Sequence, residues 1–140
     1  MQFRKDAISG SLLVVLGLLG LGISIYFFLF RPPLLPEDLT YTGIDANLLP
    51  EVFLDWLRIV FRTWGGFIAG FGCLLVGIGA FLLTGRLGWL YFPTAIAITL
   101  AFGRFVFSNI VIGSDFLWFI AATLGLALAT ALALVVRRRR

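Results

Sequence analysis

The stretch 64-WGGFIAGFGCLLVGIGAFLL-83 carries no charged residue and decides the fold class of this chain. Three further apolar stretches complete a set of four, and they are Ala7–Phe30, Leu87–Phe107 and Phe116–Val136. Each reaches the roughly 20 residues that an α-helix needs to cross the hydrocarbon of a bilayer. None shows the polar–apolar alternation of barrel strands. Since backbone polar groups in lipid must be satisfied within a segment, the sequence predicts an all-α, integral membrane four-helix bundle, with residues 1–140 as one membrane domain.

The composition agrees with this prediction. The chain is 61% hydrophobic and its mean hydropathy is +1.06, whereas soluble domains are about half apolar. The first stretch could be read as a secretory signal, because Arg4 and Lys5 precede it. Its apolar core is too long for that, however, and Arg31-Pro32-Pro33 follows where a cleavage site needs small residues. We therefore expect Ala7–Phe30 to remain as a span.

The chain is poor in groups that carry chemistry. It contains no histidine, which removes the commonest general base and the usual ligands of haem and catalytic zinc. The one cysteine, Cys73, lies in the middle of the second span. No acidic residue lies in the middle of a span, no nucleophile–base pair is evident, and no glycine-rich loop has the lysine of a phosphate site. The sequence predicts a protein that is not an enzyme and that holds no cofactor and no metal.

The charges predict an orientation. With four spans, one side of the membrane receives Arg4, Lys5, Arg86 and the tail Arg137–Arg140. The other side receives six of the seven acids, which are Glu37, Asp38, Asp45, Glu51, Asp55 and Asp115. Because basic residues near span ends prefer the cytoplasm, both termini are predicted to be cytoplasmic. The arginine tail is expected to contact anionic lipid headgroups and not nucleic acid.

Residues 31–63 are predicted to lie outside the cytoplasm. Pro32 and Pro33 stop the first span, because proline fixes φ and lacks an amide hydrogen. Leu39–Gly43 is expected to be a short extended piece and a turn. Pro50 then suits the start of an amphipathic helix, whose polar residues share one face and are Glu51, Asp55, Arg58 and Arg62. This helix is expected at the outer interface, leading into the second span either continuously to about Thr84 or with a bend near Gly65-Gly66.

Small residues form rows that are typical of packed membrane helices. In the second span one row contains Gly66, Gly70 and Gly77, and another contains Gly65, Gly72 and Gly79. The first and fourth spans carry similar rows, which include Gly17 and Gly125 respectively. We predict helix packing at Gly66, Gly70, Gly77, Gly17 and Gly125. The neighbour can be in the same chain or in another chain, and for the second span the same chain is favoured.

A polar cluster is predicted at the outer interface. Arg62, Arg104 and Asp115 fall at a similar depth, and Asp55 or Asn109 could join them. Such a cluster could fix the outer loops or bind an anionic headgroup. The alternative is that the arginines extend to the interface independently and that Ser114 or Asp115 caps the fourth span.

One pattern resembles a known group. Its residues are Arg62, Gly65-Gly66, Gly85-Arg86, Gly103-Arg104 and Ser108. The pattern resembles that of the loose DoxX-like group of small bacterial four-helix membrane proteins, over about residues 62–136. The resemblance implies a four-helix bundle in a bacterial inner membrane, and it implies no particular reaction.

Together these features predict a non-catalytic accessory, assembly or stabilising subunit of a larger membrane complex. Its expected partners are membrane lipids and either other membrane protein subunits or a second copy. The alternative is a protein that binds or transports a lipid or a small anion through a polar site in the outer leaflet, at Arg62 and Arg104. A membrane enzyme that uses Asp55, Asp115 or Tyr41 is the third possibility.

Overall fold

The computed structural model describes residues 6–138, and this part of the chain contains helices and no strands. The five α-helices are α1 (Ala7–Ile25), α2 (Pro36–Thr42), α3 (Glu51–Thr84), α4 (Gly88–Ile112) and α5 (Leu117–Arg138). A π-helical turn, Tyr26–Phe30, extends α1, and a short 3-10 turn, Ala46–Leu48, precedes α3. The all-α class is confirmed. Four helices that are long and apolar enough to cross a membrane are also confirmed, over Ala7–Phe30, Glu51–Thr84, Gly88–Ile112 and Leu117–Arg137.

The bundle consists of two helix pairs. α1 packs along α3, α4 packs along α5, and a smaller contact between α1 and α5 joins the pairs. Fully buried side chains from all four long helices form the core, and they include Leu13, Leu16, Leu75, Ile98 and Leu134. The start of α1, the end of α5 and the α3–α4 connection lie at one end of the bundle, here called the terminal end. Residues 31–50 and the α4–α5 turn lie at the other, here the loop end.

α1 and α3 approach each other until their backbones touch. A Cβ atom added at Gly79 would lie 2.7 Å from the carbonyl oxygen of Gly10, and one added at Gly17 would lie 2.7 Å from that of Gly72. Real Cβ atoms essentially never come within 3.0 Å of such an atom. Glycine is therefore required at both crossings. This close approach maximises dispersion contact and permits weak Cα–H···O bonds between the helices.

α3 is continuous through Gly65-Gly66. Its 34 residues span about 51 Å at about 1.5 Å per residue, against about 30 Å of bilayer hydrocarbon. Gly65 is buried against Phe27, whose Cβ lies 3.1 Å from where a Cβ on Gly65 would lie, so this point of α3 is a contact with the π-helical turn. The predicted amphipathic segment is thus the first part of a longer helix and not a separate one.

The expected extended piece over Leu39–Gly43 is wrong, because α2 occupies Pro36–Thr42. Pro36 is at the start of the helix, where its missing amide hydrogen costs nothing. A carboxylate oxygen of Asp38 accepts a hydrogen bond from the amide of Leu35 at 2.9 Å and so caps the first turn. Gly43 ends the helix with a φ of 66°, which favours glycine, so the expected turn is present.

The glycine contact predicts that alanine substitutions on the two faces of α3 affect stability differently. Gly79→Ala should lower the free energy of unfolding by about 1–3 kcal/mol, because the new methyl group would force α1 and α3 apart. Gly77→Ala should leave it unchanged or raise it by up to about 1 kcal/mol, because alanine favours the helix and an added Cβ at Gly77 meets nothing within 4 Å. Thermal unfolding in mild detergent measures both. Equal effects of the two variants would contradict the contact.

Candidate functional site

The loop end carries an arginine with a largely buried side chain directly after the π-helical turn. The amide of Arg31 donates to the carbonyl of Tyr26 at 2.8 Å, which ends the turn. One guanidinium nitrogen contacts a carboxylate oxygen of Asp38 at 3.3 Å, and another donates to the carbonyl of Pro32 at 3.1 Å. The Arg31 side chain is 8% exposed, so this ion pair is largely withdrawn from solvent. It fixes the start of α2 against the end of α1.

Aromatic rings complete the environment of Arg31. Its guanidinium lies 3.3 Å from the ring centroid of Phe61 on α3 and 5.6 Å from that of Phe27. Both are cation–π distances. Burial lowers the pKa of Arg31, and the Asp38 carboxylate opposes this change. Arginine stays protonated in proteins, so the group is a permanent cation whose charge is already engaged.

A second contact attaches α2 to the opposite helix pair. The hydroxyl of Ser114, in the α4–α5 turn, donates to a carboxylate oxygen of Glu37 at 3.2 Å. The same hydroxyl oxygen accepts from the amide of Phe116 at 3.3 Å, immediately before α5. Both Glu37 and Ser114 are 7% exposed. α2 therefore joins the α1–α3 pair, through Asp38, to the α4–α5 pair, through Glu37.

A cavity of about 500 Å³ lies between α1, α4 and α5 in the half of the bundle next to the loop end. Its volume is within the range of about 300–1,000 Å³ that is usual for ligand sites. The lining residues of α1 and its π-helical extension run from Val15 to Phe27, about 18 Å at about 1.5 Å per residue. The other apolar lining residues include Phe105, Phe116, Phe119 and Ile120.

The polar lining of the cavity is confined to the loop end. It consists of Tyr26, Arg31, Asn109 and Ser114. The Asn109 amide donates to the carbonyl of Phe105 at 2.9 Å, which orients the side chain. Away from this end the lining consists of aliphatic and aromatic residues and Gly22. An elongated apolar cavity with hydrogen-bonding groups at one end matches the shape and polarity of an amphiphile.

The polar residues that the sequence singles out lie elsewhere. Arg62, Arg104, Asp115 and Asp55 are all exposed. Asp55 pairs with Arg58 one helical turn away, and the Arg104 guanidinium lies 5.2 Å from the ring centroid of Phe107. Within residues 6–138, no hydrogen bond or ion pair joins any two of the four. Their functional role stays a prediction, and of the residues considered with them Asn109 and Ser114 line the cavity.

The small residues divide between two faces of α3. Gly17 contacts Gly72, which belongs to the row that includes Gly65 and Gly79. Gly66, Gly70, Gly77 and also Gly125 on α5 are exposed, and an added Cβ at each would meet nothing within 4 Å. The expected packing of the Gly66 row inside the bundle is not seen, because α1 covers the other row. Packing of these residues against another chain stays a prediction.

A polar network closes the terminal end. Asp6 is 1% exposed, and its carboxylate accepts from the Arg137 guanidinium at 3.2 Å and from the Tyr91 hydroxyl at 3.1 Å. The same carboxylate accepts from the amide of Ser9 at 3.2 Å and so caps α1. The backbone amide of Asp6 donates to the carbonyl of Leu82 at 2.9 Å. One residue thus contacts all four long helices.

Arg86, in the connection between α3 and α4, extends this network. Its guanidinium donates to the Tyr91 hydroxyl at 3.3 Å and also to the carbonyl of Arg137 near the end of α5. Sequence reasoning did not single out Asp6, Arg31 or Glu37. Asp6, the seventh acid, could have been predicted to cap α1, because a carboxylate directly before an apolar run is a typical helix cap.

Comparison of the chain with protein-family models, with curated proteins and with solved structures finds no match. The resemblance to the DoxX-like group therefore stays a prediction. The function of the chain has to be inferred from the cavity, the polar groups around it and the exposed surfaces.

The Asp6 network gives a stability prediction. Asp6→Ala should lower the free energy of unfolding by about 1–3 kcal/mol, because it leaves buried donors without their acceptor. Tyr91→Phe should cost about 1 kcal/mol, because it removes one hydrogen bond. Asp115→Ala is the control, since Asp115 is exposed. Thermal unfolding in mild detergent should separate the three. Equal stability of Asp6→Ala and the control would contradict the network.

Proposed function

We propose that this chain is a non-catalytic protein of the bacterial inner membrane that binds a lipid in the cavity between α1, α4 and α5. The observation that carries the proposal is the polarity of the cavity: its lining is apolar over most of its length and polar only at the loop end. A bilayer supplies molecules with this polarity at high concentration. The basic residues favour a cytoplasmic terminal end, which puts the cavity in the outer leaflet.

A lipid fits the cavity better than a small anion does. An anion needs a cation with free hydrogen-bond donors, but Arg31, the one cationic residue of the lining, is already engaged by Asp38, Pro32 and two rings. Arg62 and Arg104, where the sequence suggests an anion site, are exposed residues outside the lining. In addition, the apolar part of the lining has no groups that could replace the water molecules that an ion loses on entry.

A binding role also fits the lining better than catalysis does. The Ser114 hydroxyl is held by Glu37 and by the amide of Phe116, and the chain has no histidine to activate it. Tyr26 and Asn109 are the remaining uncharged polar side chains of the lining. These are groups that orient a ligand through hydrogen bonds.

The second candidate function is that of an accessory subunit, and the first part of α3 favours it. Val52 and Ile59 are 76% and 62% exposed, and Trp56 on the same segment is also exposed. If the bundle crosses a bilayer, about 20 Å of α3 exceeds the hydrocarbon thickness. Apolar side chains on such an extension are stabilised when a protein partner covers them. The exposed Gly66 row on the same helix offers that partner a surface for close approach.

The lipid proposal is tested by filling the cavity. Gly22 lines it, and an added Cβ there meets nothing within 4 Å, so Gly22→Phe should place a ring in the cavity without a backbone clash. Gly125→Phe is the matched control, since Gly125 is also free of close neighbours and lies outside the lining. Native mass spectrometry should show about one bound lipid fewer per chain for Gly22→Phe than for the unmodified protein, and no loss for Gly125→Phe. Equal lipid retention by both variants and the unmodified protein would refute the proposal.

The subunit candidate is tested by photo-crosslinking in native membranes. A photoreactive amino acid at Trp56 should give a discrete protein adduct, because the candidate places a partner on this face of α3. The same residue at Leu132, an exposed position of α5, should give lipid adducts instead. Mass spectrometry identifies the adducts. Lipid adducts alone at both positions would exclude a partner at this surface.

A further inference from the structure

We propose that the lipid in the cavity carries an ammonium group, as a zwitterionic ethanolamine phospholipid does, and that the loop end selects it over anionic phospholipids. This inference rests on the proposed lipid-binding function and specifies the headgroup. It depends on the balance of fixed charges around Tyr26, Arg31, Asn109 and Ser114, the polar end of the cavity.

The single cation of the lining does not provide a free positive charge. The Arg31 guanidinium is paired with Asp38, hydrogen-bonded to the carbonyl of Pro32 and stacked on Phe61. With its side chain 8% exposed, it has little surface left for a phosphate. Both classes of phospholipid carry a phosphate, which would have to displace Asp38, the cap of α2, to reach Arg31, so the ammonium group is what distinguishes them at this end.

Glu37 makes no direct ion pair, and it shares the longer-range attraction of Arg31 with Asp38, which is the residue that contacts the guanidinium. Its hydrogen bond comes from a neutral group, the Ser114 hydroxyl, at 3.2 Å. No ion pair described for residues 6–138 includes Glu37. Since Ser114 lines the cavity, the carboxylate lies one hydrogen bond behind the lining, and it is 7% exposed. A carboxylate in this position attracts a cation more strongly than one in water.

The charges nearest the polar end therefore sum to a negative value. Glu37 and Asp38 carry two negative charges and Arg31 one positive charge, which leaves one net negative charge. Asp115 adjoins Ser114 and adds a further exposed acid. Arg104, the cation of α4, is exposed over Phe107 and does not line the cavity. The N-terminus of α5, which would attract an anion, already has the Glu37 carboxylate beside it through Ser114.

The test uses the full chain in vesicles of equimolar phosphatidylethanolamine and phosphatidylglycerol with identical acyl chains. After extraction, native mass spectrometry should show phosphatidylethanolamine enriched about threefold to fivefold among bound lipids, a modest effect because Ser114 separates Glu37 from the cavity and prevents a direct ion pair. Glu37→Gln should bring the ratio close to the bulk ratio. Glu51→Gln, at the exposed start of α3, is the matched control and should keep the enrichment.

The outcomes separate the two proposals. A bound ratio equal to the bulk ratio, or enrichment of phosphatidylglycerol, would overturn the headgroup proposal, while lipid loss in Gly22→Phe would still support the cavity as a lipid site. Unchanged lipid retention in Gly22→Phe would overturn the proposed function itself. The ratio measured with the unmodified protein is decisive on its own, so a folding defect in Glu37→Gln leaves the test valid.

Discussion

The backbone contact between α1 and α3 is the constraint from which the rest of the arrangement follows. Carbonyl oxygens of Gly10 and Gly72 occupy the space in which side chains of Gly79 and Gly17 would otherwise lie. α1 therefore uses its small residues on α3. Larger side chains of α1, such as Val15, Leu19 and Ile23, line the cavity together with residues of α4 and α5.

Polar groups fix the two ends of the bundle around this asymmetric packing. At the terminal end, Asp6 connects the four long helices, and at the loop end α2 connects the two pairs through Asp38 and Glu37. The two ends differ in character. The Asp6 carboxylate is paired with Arg137, and Arg86 lies nearby, whereas Glu37 at the loop end makes no direct ion pair.

Much of the fold was predictable from the sequence, because length and hydropathy alone determine which segments can cross a bilayer. The two glycine rows of α3 were also visible. Their periodicity could not show which row α1 would cover, since both rows satisfy the same packing rule and the choice depends on the matching positions of Gly10 and Gly17. The sequence does not predict the helix Pro36–Thr42, because the prolines before it indicate an interruption of helix. Pro36 itself, however, begins the new helix.

The candidate site was predictable only in part, because its polar residues come from segments that are distant in the sequence. Arg62 and Arg104 are predicted to lie together because they fall at a similar depth in the membrane. Depth does not determine which way a side chain faces around its helix axis, and both side chains are exposed. Arg31 and Glu37 seemed to be ordinary loop charges. Their burial depends on Phe61 and Ser114, whose proximity is a result of the tertiary structure.

The separation of Asp6 and Arg137 along the chain has a consequence for biosynthesis. The two residues in contact are 131 positions apart, so the carboxylate that caps α1 meets its arginine only when translation has nearly reached the end of this sequence. The α1–α3 contact needs only residues up to Thr84 and can form while α4 and α5 are still on the ribosome. The Asp6–Arg137 contact can thus form only after α5 has been made, whereas the contact between α1 and α3 does not depend on α5.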